Sequence, residues 1–124
     1  MKFKTSIVGN KILLADLNGI RNESLEEIVF FRASNRYSEV CLINNCSYNS
    51  KVSLKELEGK LAEKYFMRIH RAFIVNLIYV YKIEIGRDRV ILKNKMVLPL
   101  SRRKRNGLIE GLMKITVSLP VGKS

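Results

Sequence analysis

Cysteine and histidine are scarce in this chain: among 124 residues there are two cysteines, Cys41 and Cys46, and one histidine, His70. A closed zinc site takes four nitrogen or sulfur ligands, and three residues scattered this way do not supply it. Two cysteines in a chain of this size do not make a disulfide framework either, so both are expected to be ordinary thiols in a reducing cytoplasm. Long apolar runs are missing too. The run Ile28-Val29-Phe30-Phe31 is one strand long, against the roughly 18 residues that a membrane-spanning helix requires. The opening Met1-Lys2-Phe3-Lys4 is basic but leads into Thr5, Asn10 and Lys11 rather than an apolar signal core, so neither export nor a membrane partner is expected. Acidic residues are few. Against 23 Lys and Arg there are 11 Asp and Glu, which leaves a net charge of +12 and a pI near 10.0. An excess of that size calls for a polyanionic partner without saying which.

What is present fits one domain. The length matches a single compact unit, and 47% hydrophobic residues supply a core despite the charge. Residues 1–64 carry ten basic and eight acidic side chains and residues 65–124 thirteen and three, nets of +2 and +10, with no Pro-, Gly- or Ser-rich linker between them. One domain with one strongly basic side is the simplest reading.

Most local patterns are those of short strands. Residues 11–17 and the segment from Ile20 flank Asn18-Gly19, a pair suited to a two-residue hairpin because both residues tolerate positive φ. Residues 28–32 and 37–43 are rich in β-formers. Tyr81, Ile83 and Ile85 alternate with Lys82 and Glu84, the period of a strand with one buried face. Val90 and Leu92 alternate with Arg89 and Lys93, Asn94-Lys95 turns the chain, and residues 96–100 return with Pro99 at an edge or strand end. Two segments are helical instead. Ser53-Leu54-Lys55-Glu56 is a capping box ahead of Leu54, Leu57, Leu61 and Ala62 at helical spacing, which predicts a helix over 54–63. A second helix is expected from Ser101, with Leu108, Ile109, Leu112 and Met113 inward and a frayed tail from about Thr116. The fold class is therefore mainly β: small antiparallel sheets with one or two short helices.

Three segments hold the candidate binding chemistry. Arg102-Arg103-Lys104-Arg105 places four cations in the first turn of the second helix, where the macrodipole is already positive and an anion is the natural complement. In residues 68–76, Ile69, Phe73, Ile74 and Val75 can anchor a segment from which Arg68, His70, Arg71 and Asn76 project. The turn over 32–38 offers Arg32, Asn35, Arg36, Tyr37 and Ser38, side chains suited to a DNA groove.

Phe30-Phe31-Arg32-Ala33 before a polar turn, Val52-Ser53-Leu54-Lys55-Glu56-Leu57, the stretch from Phe66 to Asn76, and Leu98-Pro99-Leu100-Ser101-Arg102 together resemble the LytTR DNA-binding domain. The blocks occur in order over about residues 10–114, leaving 1–9 as a lead-in and 115–124 as a tail. The most specific piece is Phe66-Met67-Arg68-Ile69-His70-Arg71-Ala72-Phe73-Ile74-Val75-Asn76. The resemblance implies an elongated arrangement of small antiparallel sheets whose loops enter successive major grooves of double-stranded DNA. It also implies the output domain of a cytoplasmic bacterial response regulator, reading paired direct repeats and so bringing a second copy onto the DNA. Such domains usually follow a receiver domain; none precedes the first strand here, so a stand-alone regulator and an excised C-terminal piece both stay open, with a receiver or a sensor as the missing partner.

Carried over residue by residue, the resemblance makes Asn35, Arg36, Ser38, Arg71 and Arg102 the base-contact candidates. Arg102 is the foremost, because its fork matches guanine. Arg32, Tyr37, Arg68, His70, Ser101, Arg103, Lys104 and Arg105 become phosphate-contact candidates, which fix register without reading sequence. A histidine that some members carry near Ser38 is absent, which leaves the preferred base there open. Asn76 falls at a structural corner of the family and is expected to hold its loop through backbone hydrogen bonds.

Two other classes come into question, and an RNA-binding basic β module fits the charge and size equally well, so the aromatics have to separate it. A single-strand RNA reader stacks bases on exposed aromatics, whereas the five Phe and five Tyr fall mostly on core-like positions, Tyr37 and Tyr48 excepted. A nuclease needs clustered carboxylates, but Glu26 and Glu27 sit on opposite faces of a strand start and Glu56 and Glu58 on a helix surface. The chain has no H-E-x-x-H, no G-x-S-x-G and no P-loop. Neither an enzyme nor a metal or other cofactor is expected.

Overall fold

A computed structural model describes residues 3–118. Its strands form three small antiparallel sheets. The first joins β1 (Ser6–Val8), β2 (Lys11–Ala15) and β3 (Ile20–Ser24) in that order. The second has five strands: β4 (Ile28–Ser34) and β5 (Tyr37–Leu42) form a hairpin, β6 (Ser47–Ser50) lies outside β5, and a second hairpin of β7 (Phe66–His70) and β8 (Phe73–Asn76) pairs through β8 with β4. The third joins β9 (Val80–Glu84), β10 (Arg89–Leu92) and β11 (Val97–Pro99), with β10 central. Two helices complete the fold, α1 (Leu54–Lys60) and α2 (Arg105–Ser118).

The five-stranded sheet is buried on both faces, which explains why Ile28, Val29, Phe30 and Phe31 are apolar without alternation. Phe31, Val40 and Ile74 face the first sheet and α1, packing with Ile12, Leu14, Leu54, Leu57 and Leu61. Phe30 and Val75 face the other way, towards Val90, Leu92 and Leu98 of the third sheet and Leu108 and Ile115 of α2. At the end of β4 the pattern breaks: Arg32 and Ala33 are exposed. The strand has left the core there.

Several local expectations need correction. The β2–β3 hairpin forms, but neither Asn18 nor Gly19 has positive φ. Instead Ala15 pairs with Ile20, and the Asp16 carboxylate accepts the Asn18 and Gly19 N–H groups at 2.8 Å each. An Asx turn four residues long replaces the two-residue turn. The α1 cap forms, with Ser53 Oγ accepting Glu56 N–H at 3.2 Å, but the helix stops at Lys60, where Leu61 leaves the helical backbone as the C-cap and turns follow to Tyr65 at φ 64. In β9, Tyr81 is 71% exposed and Ile85 lies beyond the strand in a 3-10 turn, so the expected inward row fails. The cause is a register shift that pairs Lys82 with Ile91 but Val80 with Leu92.

The ends differ as well. Ser6–Val8, inside the expected lead-in, pairs with β2. Ile115, expected to begin the tail, is a buried core residue, and α2 runs to Ser118; residues 119–124 lie outside the described residues. Along α2, Leu108 and Leu112 face inward as expected, but Met113 is exposed. The inward face passes through Gly107 and Gly111, where a Cβ would stand 2.9 Å from Met67 Cε and 3.2 Å from Leu77 Cδ1. Two glycines let the helix lie close on β7.

Candidate nucleic-acid interface

Four chain turns come together at one end of the sheets, joined by backbone hydrogen bonds. Ala33 N–H, near the tip of the β4–β5 hairpin, donates to Ala72 O in the β7–β8 turn at 2.8 Å. Ser101 N–H, at the exit from β11, donates to Ile69 O of β7 at 2.8 Å. Leu100 N–H donates to Asp88 O, in the β9–β10 connection, at 2.9 Å. Segments distant in sequence are thereby fixed as one rim.

At the first turn Asn35 takes a left-handed φ of 56°, which asparagine tolerates well, and Asn35, Arg36 and Tyr37 are exposed. Ser38 is not. Its side chain is fully buried, on the Val40 face of β5 and paired with Ala33 and Ser50. That removes it as a groove contact, since strand alternation turns Tyr37 outward and Ser38 inward. Arg32 is exposed but engaged: its Nε donates to Glu39 Oε1 at 2.8 Å, while Ser47 Oγ donates to Glu39 Oε2 at 2.7 Å. The Ser47 hydroxyl, then Arg32, holds the Glu39 carboxyl below its ordinary value.

The second turn is built around Arg68. Its guanidinium donates to His70 O at 3.0 Å, Arg71 O at 2.5 Å and Glu58 Oε1 of α1 at 3.0 Å. Those bonds spend the arginine inside the protein, so its place is that of a clamp on the turn rather than a free phosphate donor. His70 Nδ1 accepts Ala72 N–H at 3.1 Å, which fixes the imidazole against the turn. Arg71, at the tip, is exposed.

At the third segment Arg102–Lys104 forms a 3-10 turn ahead of α2, so the cations stand one turn before the α-helix proper rather than inside it. Arg103, Lys104 and Ser101 line one cleft with Arg68, His70, Arg71 and Glu58. Two segments that were separate in sequence thus form a single basic surface, with Arg105 at the helix start. Arg102 is open to solvent, its side chain 82% exposed, and its Nε donates to Asp88 Oδ2 at 3.0 Å.

Asn76 lies away from this rim. It is buried, its amide donates to Leu25 O and Ile28 O at 3.3 and 2.9 Å, and its Oδ1 accepts Ile78 N–H at 3.2 Å. The corner role expected of it is what the structure contains, and its expected projection is not.

Three site residues escaped the sequence reading: Glu39, Glu58 and Asp88. Glu58 looked like an ordinary helix-surface residue. Asp88 left one weak local trace, the turn composition of Gly86-Arg87-Asp88. Among the described residues no cluster of His, Cys, Asp and Glu is arranged to hold a metal, and no helix is long and apolar enough to cross a membrane. Both thiols are free; burial, with Glu39 adding to it, pushes the Cys41 thiol up to about 12, and Cys46 is exposed.

Comparison with known proteins bears on the family and the fold. The family model of the LytTr DNA-binding domain matches residues 18–113, a span that includes all four turns. The sensory transduction protein LytT of Oceanobacillus iheyensis is 30% identical over 94 residues, covering 72% of this chain and 38% of the relative. The chain therefore spans about two-fifths of that relative's length. A solved structure of a LytTr DNA-binding domain from a methyl-accepting/DNA response regulator of Bacillus cereus superposes with a TM-score of 0.70 at 21% identity, covering 85% of this chain and 98% of the other.

Proposed function

This chain belongs to the LytTr DNA-binding domain family, whose business is DNA binding in transcription regulation, and from that premise we propose that it reads double-stranded DNA sequence-specifically by inserting its turns into successive grooves. The observation that carries the proposal is the hydrogen-bonded rim: Ala33 to Ala72 and Ile69 to Ser101 hold three polar, cation-bearing turns side by side. Asn35 and Arg36, Arg71, and Arg102 stand at the tips and are the base readers. Tyr37, His70, Ser101, Arg103, Lys104 and Arg105 flank them and contact phosphates, setting register. Arg32 and Arg68, bound to carboxylates and less exposed than Arg102, shape the surface instead.

Paired direct repeats as the target would seat two copies on one face of the duplex. A receiver domain or a separate sensor in the cytoplasm would supply the signal, in keeping with the greater length of the relative. Selection of bound sites from random duplexes, followed by anisotropy titration of the selected and a scrambled duplex at several salt concentrations, tests the reading. The selected duplex is expected to bind tighter at every salt concentration. Equal affinities would sink sequence-specific recognition, and displacement by structured RNA at lower concentration than by duplex DNA would move the function to RNA.

A further inference from the structure

We propose that Asp88 is a positioning residue for DNA recognition: its carboxylate holds the Arg102 fork ready for a base and so favours the sequence that engages the fork over all others. The inference rests on Arg102 being a base reader. Asp88 closes the 3-10 turn Ile85–Arg87 in a left-handed conformation, φ 50 and ψ 52, which aims its side chain back across the sheet end. Its main chain is fixed at both ends, since its carbonyl accepts Leu100 N–H at 2.9 Å and its N–H donates to Ile85 O at 3.4 Å. The β9–β10 connection is thus tied to the residue two before Arg102, and the carboxylate meets Arg102 Nε at 3.0 Å.

The geometry divides the guanidinium. Asp88 occupies the Nε edge, which leaves the terminal Nη groups for a bidentate contact. An arginine 82% exposed and without a partner would sample many rotamers and lose that freedom on binding. Asp88 takes the loss before DNA arrives. Its charge also matters. A carboxylate 32% exposed at the edge of a basic rim repels the phosphate backbone of every sequence alike, so it lowers binding that does not engage the Arg102 fork.

Asp88→Asn tests this cleanly, because asparagine accepts the left-handed backbone and keeps both main-chain hydrogen bonds while losing the charge. The cognate duplex recovered by site selection and a scrambled duplex are titrated with wild type, D88N, R102A and the double variant. In D88N the cognate-over-scrambled ratio is expected to fall about 2- to 10-fold. Binding of the scrambled duplex should hold or tighten, and lost discrimination should map to the base pair that R102A relaxes. Adding D88N to R102A should then lower the ratio no further. An unchanged ratio in D88N beside a lowered one in R102A would overturn the positioning role and leave DNA reading intact. Equal weakening of both duplexes with a lowered Tm would make Asp88 merely structural and overturn it too. An unchanged ratio in R102A itself would remove Arg102 as a reader and the proposal with it.

Discussion

The arginines of this molecule that meet a carboxylate differ in how much of the side chain stays exposed. Arg68 has Glu58 and two carbonyls around it, Arg32 has Glu39, and both are bound within the fold. Arg102 also has a carboxylate, but its side chain remains 82% exposed and aimed outward. Arg102→Ala is therefore expected to cost ~1–3 kcal/mol on the selected duplex and to blunt base discrimination. Lys104→Ala should weaken all sequences alike and make the salt slope shallower by ~1. Identical behaviour of the two variants in the same titrations would refute the division into readers and phosphate contacts. Asn76 belongs to neither group. Removing its amide takes the Asn76 donor from the Ile28 carbonyl, one of two donors from the Leu25 carbonyl, which keeps the Ile28 N–H, and the acceptor from Ile78 N–H, so Asn76→Ala should destabilise by ~1–3 kcal/mol in urea unfolding. Its effect on DNA should follow only from unfolded protein.

Turns and helix ends carry most of the differences between expectation and structure at the scale of elements. The Asn18-Gly19 hairpin was legible as a hairpin, because strands of matching pattern flank it, but its turn type was not. Asp16, outside the pair, supplies the acceptor that closes the loop. Asparagine does the same work in two further loops: Asn44 Oδ1 accepts Cys46 N–H at 3.0 Å and Asn94 Oδ1 accepts Met96 N–H at 3.0 Å, with Asn45 and Lys95 left-handed in between. The glycines differ by surroundings. Gly107 and Gly111 let α2 approach Met67 and Leu77, whereas Gly59 in α1 has nothing within 4 Å of a would-be Cβ. Gly59→Ala should therefore raise stability by about 0.4–1 kcal/mol through the unfolded chain. Thermal melts check this, with DNA affinity expected unchanged because Gly59 lies off the rim.

For the whole molecule, the layered arrangement explains how a chain of net charge +12 folds at all. A sheet covered on both faces concentrates the apolar residues, and the cations of the site are left at its end. The carboxylates that remain are put to work. The Ser47 hydroxyl and Arg32 hold Glu39 below its ordinary value, Arg89 does the same for Glu84, and the Asn18 N–H for Asp16. Such groups bind fewer protons folded than unfolded, so their stabilisation is complete above the ordinary carboxyl range of about 4 and is lost as pH falls through the lowered folded values. Tm should stay level from pH 8 to about 5 and decline below ~4.5. Glu39→Gln should start lower at neutral pH and lose less on acidification. An equal acid loss in both proteins would show that Glu39 contributes nothing to the decline.

The sequence by itself determined the mainly β class, the capping box that starts α1, the one-sided charge and the ordered blocks that resemble a duplex-binding family. All of these are written in neighbouring residues: alternation, helical spacing, a capping serine, runs of like charge. Only the tertiary structure decided that Ser38 points inward, that Arg68 is a clamp, and that Met113 yields its place to Gly107 and Gly111. It alone joined Asn76 to Leu25 across 51 positions and Arg102 to Asp88 across 14. A local pattern records the propensity of a segment and the face it buries. Which cation is free and which is spent depends on the partners and the exposure that folding gives it, and for Arg102 the partner carboxylate arrives from another strand pair while the side chain stays open to solvent.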